Sequence, residues 1–279
     1  MKKTLLVALM LGATASANIA MAADVTPEQS RQMMIDFFQA KNPNIAIDGY
    51  INGAYIYSED KMAQWEAAEE FPPYLDAIDA GEALYNADKA VYEKCFGDDV
   101  TKIRAKYPYF DEATQKVVTL EGDINKCRAD AGLAAYKDAE KGKGDIAKVS
   151  GYLAYNARGQ KINVKIESEG ARKAFEAGQD FYIKPIGQLN LSCAKCHTYQ
   201  AGKKARSNLL SPAVGHTSHF PVFRAGAQAL TTLHNRYVGC NKNMRANPAK
   251  PQSDTYKNLE FFEAYLSNGL EINGPGYRE

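Results

Sequence analysis

Histidine is scarce in this chain, with 4 among 279 residues, and basic and acidic side chains nearly cancel, 34 against 33. A net charge of +1 leaves no basic field for nucleic acid and no long charged tail. Only one C-x-x-C occurs, so a zinc ribbon cannot be completed, and no βαβ pattern surrounds it, which sets aside a thioredoxin-like dithiol. Past the N-terminus no apolar run approaches the roughly 20 residues of a membrane span. Cysteines number five, an odd count.

What is present begins with an export signature. Lys2 and Lys3 precede the apolar run "TLLVALMLGATA", and Ala20-Met21-Ala22 offers a small-x-small cleavage site. The expectation is a cleaved signal peptide over residues 1–22 and a mature protein in the periplasm. Residues 23–279 suffice for one large domain or two ordinary ones. In an oxidising compartment, unpaired thiols need a reason. Cys193 and Cys196 belong to one motif, Cys95 and Cys127 could pair, and Cys240 is left over.

The pattern is mainly helical. Thr26-Pro27-Glu28-Gln29 combines an N-cap, a first-turn proline and a capping-box glutamine, and Asn42-Pro43 ends that helix. Met33, Met34, Phe37 and Phe38 read as its core face. A second helix runs from about Glu59 to Glu70, before Pro72-Pro73, and a third turns Leu75, Ile78, Leu84 and Tyr85 inward. Asp145 reads as the cap of another, with Ile146, Val149, Leu153 and Ala157 buried and Gly159 past its end.

The polar, alternating stretch "GQKINVKIESEG" (159–170) reads as a strand or extended linker, and the domain boundary is placed there. Ser168 then caps a helix with the stripe Ala171, Phe175, Gly178 and Tyr182. Ser253 caps the last helix, which buries Leu259, Phe262 and Leu266 and stops at Gly269. "AGEALYN…YEKCFGDD" weakly repeats "AGQDFYI…LSCAKCHTY". The expected architecture is two helical, cytochrome c-like domains, residues 23–162 without heme and 163–279 with it.

"LSCAKCHTY" contains C-x-x-C-H, the c-type heme attachment motif. Two thiols three residues apart reach the two vinyl groups of one porphyrin, and the next residue, His197, is held below the iron as an axial ligand. The sixth position is open to Met244, His216, His219, His234 or Cys240. A downstream methionine is the default. Cys240 lies four residues before it without a disulfide partner, and a thiolate would lower the reduction potential. That suits sulfur chemistry better than simple electron carriage.

"GHTSHFPVFR" (215–224), "LHNRYVGCNKNMRANPAKPQSDTYKNLEFFEAYLSNGL" (233–270) and the upstream C-x-x-C-H together resemble the SoxA family, the larger cytochrome subunits of the SoxAX complexes of bacterial sulfur oxidation. The resemblance is close over the C-terminal domain and loose over the N-terminal one. It implies one covalent heme c on Cys193 and Cys196, His197 as proximal ligand, and Cys240 as distal ligand, persulfidated or otherwise sulfur-modified. Arg236 matches an active-site arginine. The implied activity is that of an L-cysteine S-thiosulfotransferase, which oxidatively joins thiosulfate to a cysteine of the SoxYZ carrier. SoxX is the implied partner subunit and a small cytochrome c the electron acceptor. Two-heme relatives carry a second C-x-x-C-H near residue 95, where this chain reads "CFGDD". The resemblance therefore points to the one-heme form, with a Cys95–Cys127 disulfide in place of the first heme.

On a helix, Arg236 and Cys240 share a face at i, i+4, which would hold a sulfonate beside the sulfur. The competing reading is a periplasmic electron-transfer cytochrome with Met244 on the iron and no catalysis. His216, His219 and His234 are assigned no ligand role.

Overall fold

A computed structural model describes residues 25–137 and 144–278; the expected signal peptide over residues 1–22 lies outside them. Helix α1 (Pro27–Lys41) starts at the expected capping box. The Thr26 hydroxyl accepts from the Gln29 amide at 3.2 Å, and the Thr26 amide donates to Gln29 Oε1 at 2.8 Å. Its buried face differs from the one expected. Ser30, Ile35 and Phe38 are buried, whereas Met33 is 62% exposed. The four expected residues span about 140° of the helix, and the core lies toward the Met34–Phe38 edge of that arc and on to Ile35, leaving Met33 and Phe37 outside.

A 3₁₀ stretch, Ile47–Tyr57, leads into α2 (Glu59–Glu70), which ends before the Pro-Pro pair as its sequence requires. Helices α3 (Leu75–Ala87), α4 (Lys89–Phe96) and α5 (Val100–Ile103), the hairpin β1 (Tyr109–Asp111) with β2 (Lys116–Val118), and helices α6 (Leu120–Asp130) and α7 (Asp145–Asn156) follow. Asp145 is the first residue of α7 and Gly144 its N-cap, without a side-chain bond. An acid in the first turn still complements the helix dipole. Cys95 and Cys127 form a disulfide that ties α4 to α6.

Residues 159–162 run extended, as expected, and pair with residues 270–272. The amides of Gly159 and Ile162 donate to the carbonyls of Ile272 and Leu270 at 2.9 Å each. Next come α8 (Glu169–Ile183), the hairpin β3 (Lys204–Ala205) with β4 (Asn208–Leu209), β5 (Val222–Arg224), β6 (Ala229–Thr231), α9 (Leu233–Asn243), α10 (Asp254–Leu266) and β7 (Gly276–Arg278). Strand β5 lies between antiparallel β6 and parallel β7. These short strands carry no alternating run long enough to announce them in sequence. Ser253 stands at the N-cap of α10 as expected, but its hydroxyl caps no amide.

Two helix pairs cross at glycine. A Cβ at Gly81 of α3 would meet the Lys148 carbonyl oxygen of α7 at 2.2 Å, and one at Gly178 of α8 would meet the Asn258 oxygen of α10 at 2.1 Å. Only a hydrogen side chain allows either approach. One turn on, Tyr85 and Tyr182 are buried in the respective cores. The weak sequence repeat is thus a repeated crossing.

Each pair has its own core. Tyr85, Tyr92, Phe96, Ile124, Ile146 and Leu153 cluster in the N-terminal unit; Phe175, Tyr182, Tyr256, Leu259, Phe261 and Phe262 do so in the C-terminal one. Phe38 and Tyr50 join the C-terminal core. The chain N-terminal to α2 therefore packs with the second unit, although the sequence reading groups it with the first.

Candidate functional site

The C-x-x-C-H segment follows α8. Ser192 Oγ accepts from the Lys195 amide at 3.0 Å, and residues Lys195–Tyr199 form one wide turn of π-helix. Tyr182 from the buried stripe of α8 bonds Thr198 Oγ1 at 2.8 Å. Helix α1 closes the turn from outside. Lys41 Nζ donates to the carbonyls of Tyr199 at 3.1 Å and Ala201 at 2.9 Å, and Thr198 Oγ1 donates to Met34 Sδ at 3.7 Å. A cation on the otherwise free carbonyls of a helical end is favourable. No local sequence signal announces that α1 serves this turn, because its partners lie over 150 residues on.

His197 keeps one ring nitrogen available to a ligand. Its Nδ1 donates to the Ser211 carbonyl at 3.0 Å, which fixes the tautomer and leaves the Nε2 lone pair free. Burial, reinforced by the His216 charge, pushes its pKa down to about 3, so the ring is neutral at physiological pH. Burial raises the Cys193 thiol, helped by the Glu263 carboxylate and Cys240. It raises Cys196 too, with Cys240 again contributing. Cys240 therefore stands within electrostatic reach of both cysteines of the motif. All three thiols are free of disulfides. Two thiols at heme spacing, a tautomer-fixed imidazole and a third sulfur within electrostatic reach fit the donor set of a c-type heme.

Cys240 is delivered by α9. Thr232, the last residue before it, is its N-cap. His234, Tyr237 and Asn241 form the buried face. Arg236 and Cys240 lie on the adjacent face, four residues apart, and Arg236 Nη1 curls back to 3.9 Å from the Cβ position of Gly239. The helical spacing expected from the sequence is present. Met244, the default distal ligand, is the C-cap of α9; its carbonyl accepts from the Leu189 amide at 3.3 Å.

The remaining histidines separate. The His216 ring lies 4.7 Å from that of His197, and its Nδ1 is 3.1 Å from Glu263 Oε1. Burial opposes ionisation of Glu263, but His216 and the Tyr237 hydroxyl outweigh it and hold the carboxyl below its usual value. Buried His219 packs against Phe220 at 5.2 Å between centroids. His234 Nδ1 accepts from the Gln252 amide at 3.0 Å, and its Nε2 sits 3.1 Å from Glu260 Oε2, off the hydrogen-bonding direction. The buried Glu263 is a member of the site that sequence reading missed. Its only signal is a carboxylate inside an otherwise apolar helix stripe.

A helical C-terminal unit that carries a C-x-x-C-H turn, with a third free thiol within electrostatic reach of its two cysteines, defines a protein of the cytochrome c class. Comparison with known proteins narrows the class. The family described as SoxA/TsdA, cytochrome c domain, matches residues 80–162 and 177–272. The L-cysteine S-thiosulfotransferase subunit SoxA of Chlorobaculum tepidum is 42% identical over 290 residues, covering 100% of both chains. Its counterpart in Allochromatium vinosum is 40% identical over 283 residues, covering 100% of this chain and 99% of that one. The crystal structure of SoxXA from P. pantotrophus aligns with a TM-score of 0.66 at 29% identity, over 75% of this chain and 79% of that one. The chain belongs to the SoxA family. Among the described residues no helix is long and apolar enough to cross a membrane.

Proposed function

We propose that this chain is the SoxA subunit of an L-cysteine S-thiosulfotransferase, working in the periplasm with a SoxX cytochrome subunit to join thiosulfate to a cysteine of the SoxYZ carrier. The observation that supports this most is the placement of Cys240. It lies within electrostatic reach of Cys193 and Cys196, with Arg236 one turn before it on the same helix.

Cys193 and Cys196 would hold one heme c through thioethers, and only in the C-terminal unit. His197 would bind its iron through Nε2 and Cys240, persulfidated in the working enzyme, through sulfur. The chemistry such a group would supply is one-electron transfer toward a small cytochrome c. Arg236 receives the sulfonate end of thiosulfate, because a planar guanidinium matches two oxygens at once and keeps its charge at any working pH. With the sulfonate held, the sulfane sulfur would point along the helix face toward Cys240, and the thiosulfate S–S bond would stay intact while the sulfane sulfur is oxidatively joined to the carrier thiol.

Overall, one S–S bond forms between the sulfane sulfur of thiosulfate and the carrier cysteine. The thiol proton goes to solvent and two electrons leave toward the acceptor. A single heme would account for one of the two electrons, so a second redox centre would be needed, which the SoxX cytochrome subunit would provide.

Mass spectrometry of the carrier tests the proposal, with holo complex, thiosulfate and oxidised cytochrome present. Wild type converts the carrier cysteine to its thiosulfate adduct. Cys240→Met, which keeps heme and fold, lowers the rate about a thousandfold, ~4 kcal/mol of barrier. A Cys240→Met complex working at the wild-type rate would refute the role of this sulfur.

A further inference from the structure

The arginine ion pairs among the described residues belong to Arg31, Arg128, Arg158 and Arg172. Three arginines that are electrostatic neighbours of one another across Arg224 are absent from that group: Arg224, Arg236 and Arg278. Arg278 is otherwise engaged. Its guanidinium donates to the carbonyls of Tyr277 at 2.7 Å and Asn52 at 3.2 Å, and lies 4.6 Å from the centre of the Tyr55 ring. Arg224 and Arg236 have no side-chain hydrogen-bond or carboxylate partner among the described residues.

Arg224 is placed rigidly. It ends β5, the central strand of its sheet, opposite Ala229 on β6 and Arg278 on β7. Strand β6 pairs with β5 and then runs through Thr232 directly into α9, so one strand separates the element of Arg224 from that of Arg236. Arg224 is half-buried. Burial lowers its pKa most, the Arg236 charge next, and the Cys240 sulfur acts in the opposite direction. Arg224 is thus an electrostatic neighbour of both residues. Two unpaired guanidiniums, one of them partly desolvated, repel each other beside a sulfur, and such a charge imbalance calls for an anion.

We propose that Arg224 is a second anion-binding residue, forming with Arg236 a two-guanidinium clamp on the sulfonate group of thiosulfate above Cys240. The inference rests on the function proposed above and adds a residue to its substrate site. A sulfonate has three oxygens, and one guanidinium engages two of them. A second guanidinium from another element completes the set and fixes the direction in which the sulfane sulfur points. Because β5 is held by ladders on both edges, the clamp is formed before substrate arrives.

The test is equilibrium binding of thiosulfate to the oxidised holo complex by calorimetry without the carrier, so that no turnover occurs. Arg224→Gln weakens binding about ten- to a hundredfold, the range of a charge-assisted hydrogen bond, and Arg224→Lys recovers part of it. Heme content, Soret spectrum and melting temperature stay at wild-type values in both. Unchanged affinity in Arg224→Gln overturns the inference. So does loss of heme or a shifted Soret band with unchanged affinity, which would make a heme propionate the partner. If Arg224→Gln binds normally while Arg236→Gln does not, only this inference fails. If wild type binds no thiosulfate, the proposed function fails and this inference with it.

Discussion

The N-terminal and C-terminal units cross their helices in the same way, at Gly81 and Gly178, yet only the second crossing leads into a C-x-x-C-H turn. After Cys95, the positions matching Cys196 and His197 hold Asp98 and Asp99. Asp99 caps α5 by accepting from the Thr101 amide at 3.1 Å. Where the C-terminal unit holds its free thiols, the N-terminal one has a disulfide and a stack of rings: Tyr85 on Tyr92 at 4.9 Å, and Tyr92 on Phe96 at 6.1 Å. The difference teaches that the glycine crossing specifies the fold, while what fills the space beside it is separable. Aromatic packing and a cross-link fill in one unit the place that the proposed heme would take in the other.

The comparison breaks most visibly at the cross-link. Replacing Cys95 and Cys127 by serine removes a constraint on a loop of about 33 residues, worth about 3–4 kcal/mol on the chain-entropy estimate. The expected outcome in differential scanning calorimetry is an early transition of the N-terminal unit, with the Soret band intact until the second. Simultaneous loss of the heme spectrum would show that the units do not separate.

The crossings sharpen it next. Gly81→Ala and Gly178→Ala each force a methyl group onto a backbone carbonyl and destabilise by about 1–3 kcal/mol, more than the helix-propensity gain returns. Only Gly178→Ala is expected to reduce heme incorporation, read as the Soret-to-protein absorbance ratio. Equal heme loss in both variants would contradict the assignment of heme to one unit.

The smallest effect lies between the units. Arg104, Glu121, Phe220 and Glu260 line one small cavity there, and the Ser150 hydroxyl donates to Glu121 at 2.7 Å. Burial, then Glu260, raises the Glu121 pKa above its usual 4.5. Its protonated form therefore supports the fold at acid pH, and that support is lost as pH rises through the raised value. Glu121→Gln mimics the protonated acid. It raises the melting temperature at pH 8 relative to wild type and makes no difference below about pH 4.5. A gap independent of pH would remove Glu121 as its cause.

Much of this was legible in sequence because it is local. The stripe Ala171, Phe175, Gly178 and Tyr182 is buried as its spacing requires, and the capping box of α1 forms as its four residues require. Local pattern fails where a partner is distant. Whether Met33 or Met34 faces inward depends on Thr198, and the engagement of Lys41 depends on carbonyls at 199 and 201. The C-x-x-C-H motif and the shared helix of Arg236 and Cys240 could be read because motif and helical spacing are short-range. Glu263 beside His216 and Arg224 beside Arg236 could not, because each pair joins separate elements. The segment N-terminal to α2 follows the same rule: it precedes the first unit in the chain and packs on the second.

The most direct test is the electron paramagnetic resonance spectrum of the oxidised holo complex, wild type against Cys240→Met. The account predicts a low-spin imidazole–sulfur signal in wild type that Cys240→Met abolishes, while the signals from the partner subunit's heme stay constant. A wild-type spectrum of the imidazole–thioether kind, unchanged in Cys240→Met, would put Met244 on the iron and leave an electron carrier in place of an enzyme subunit.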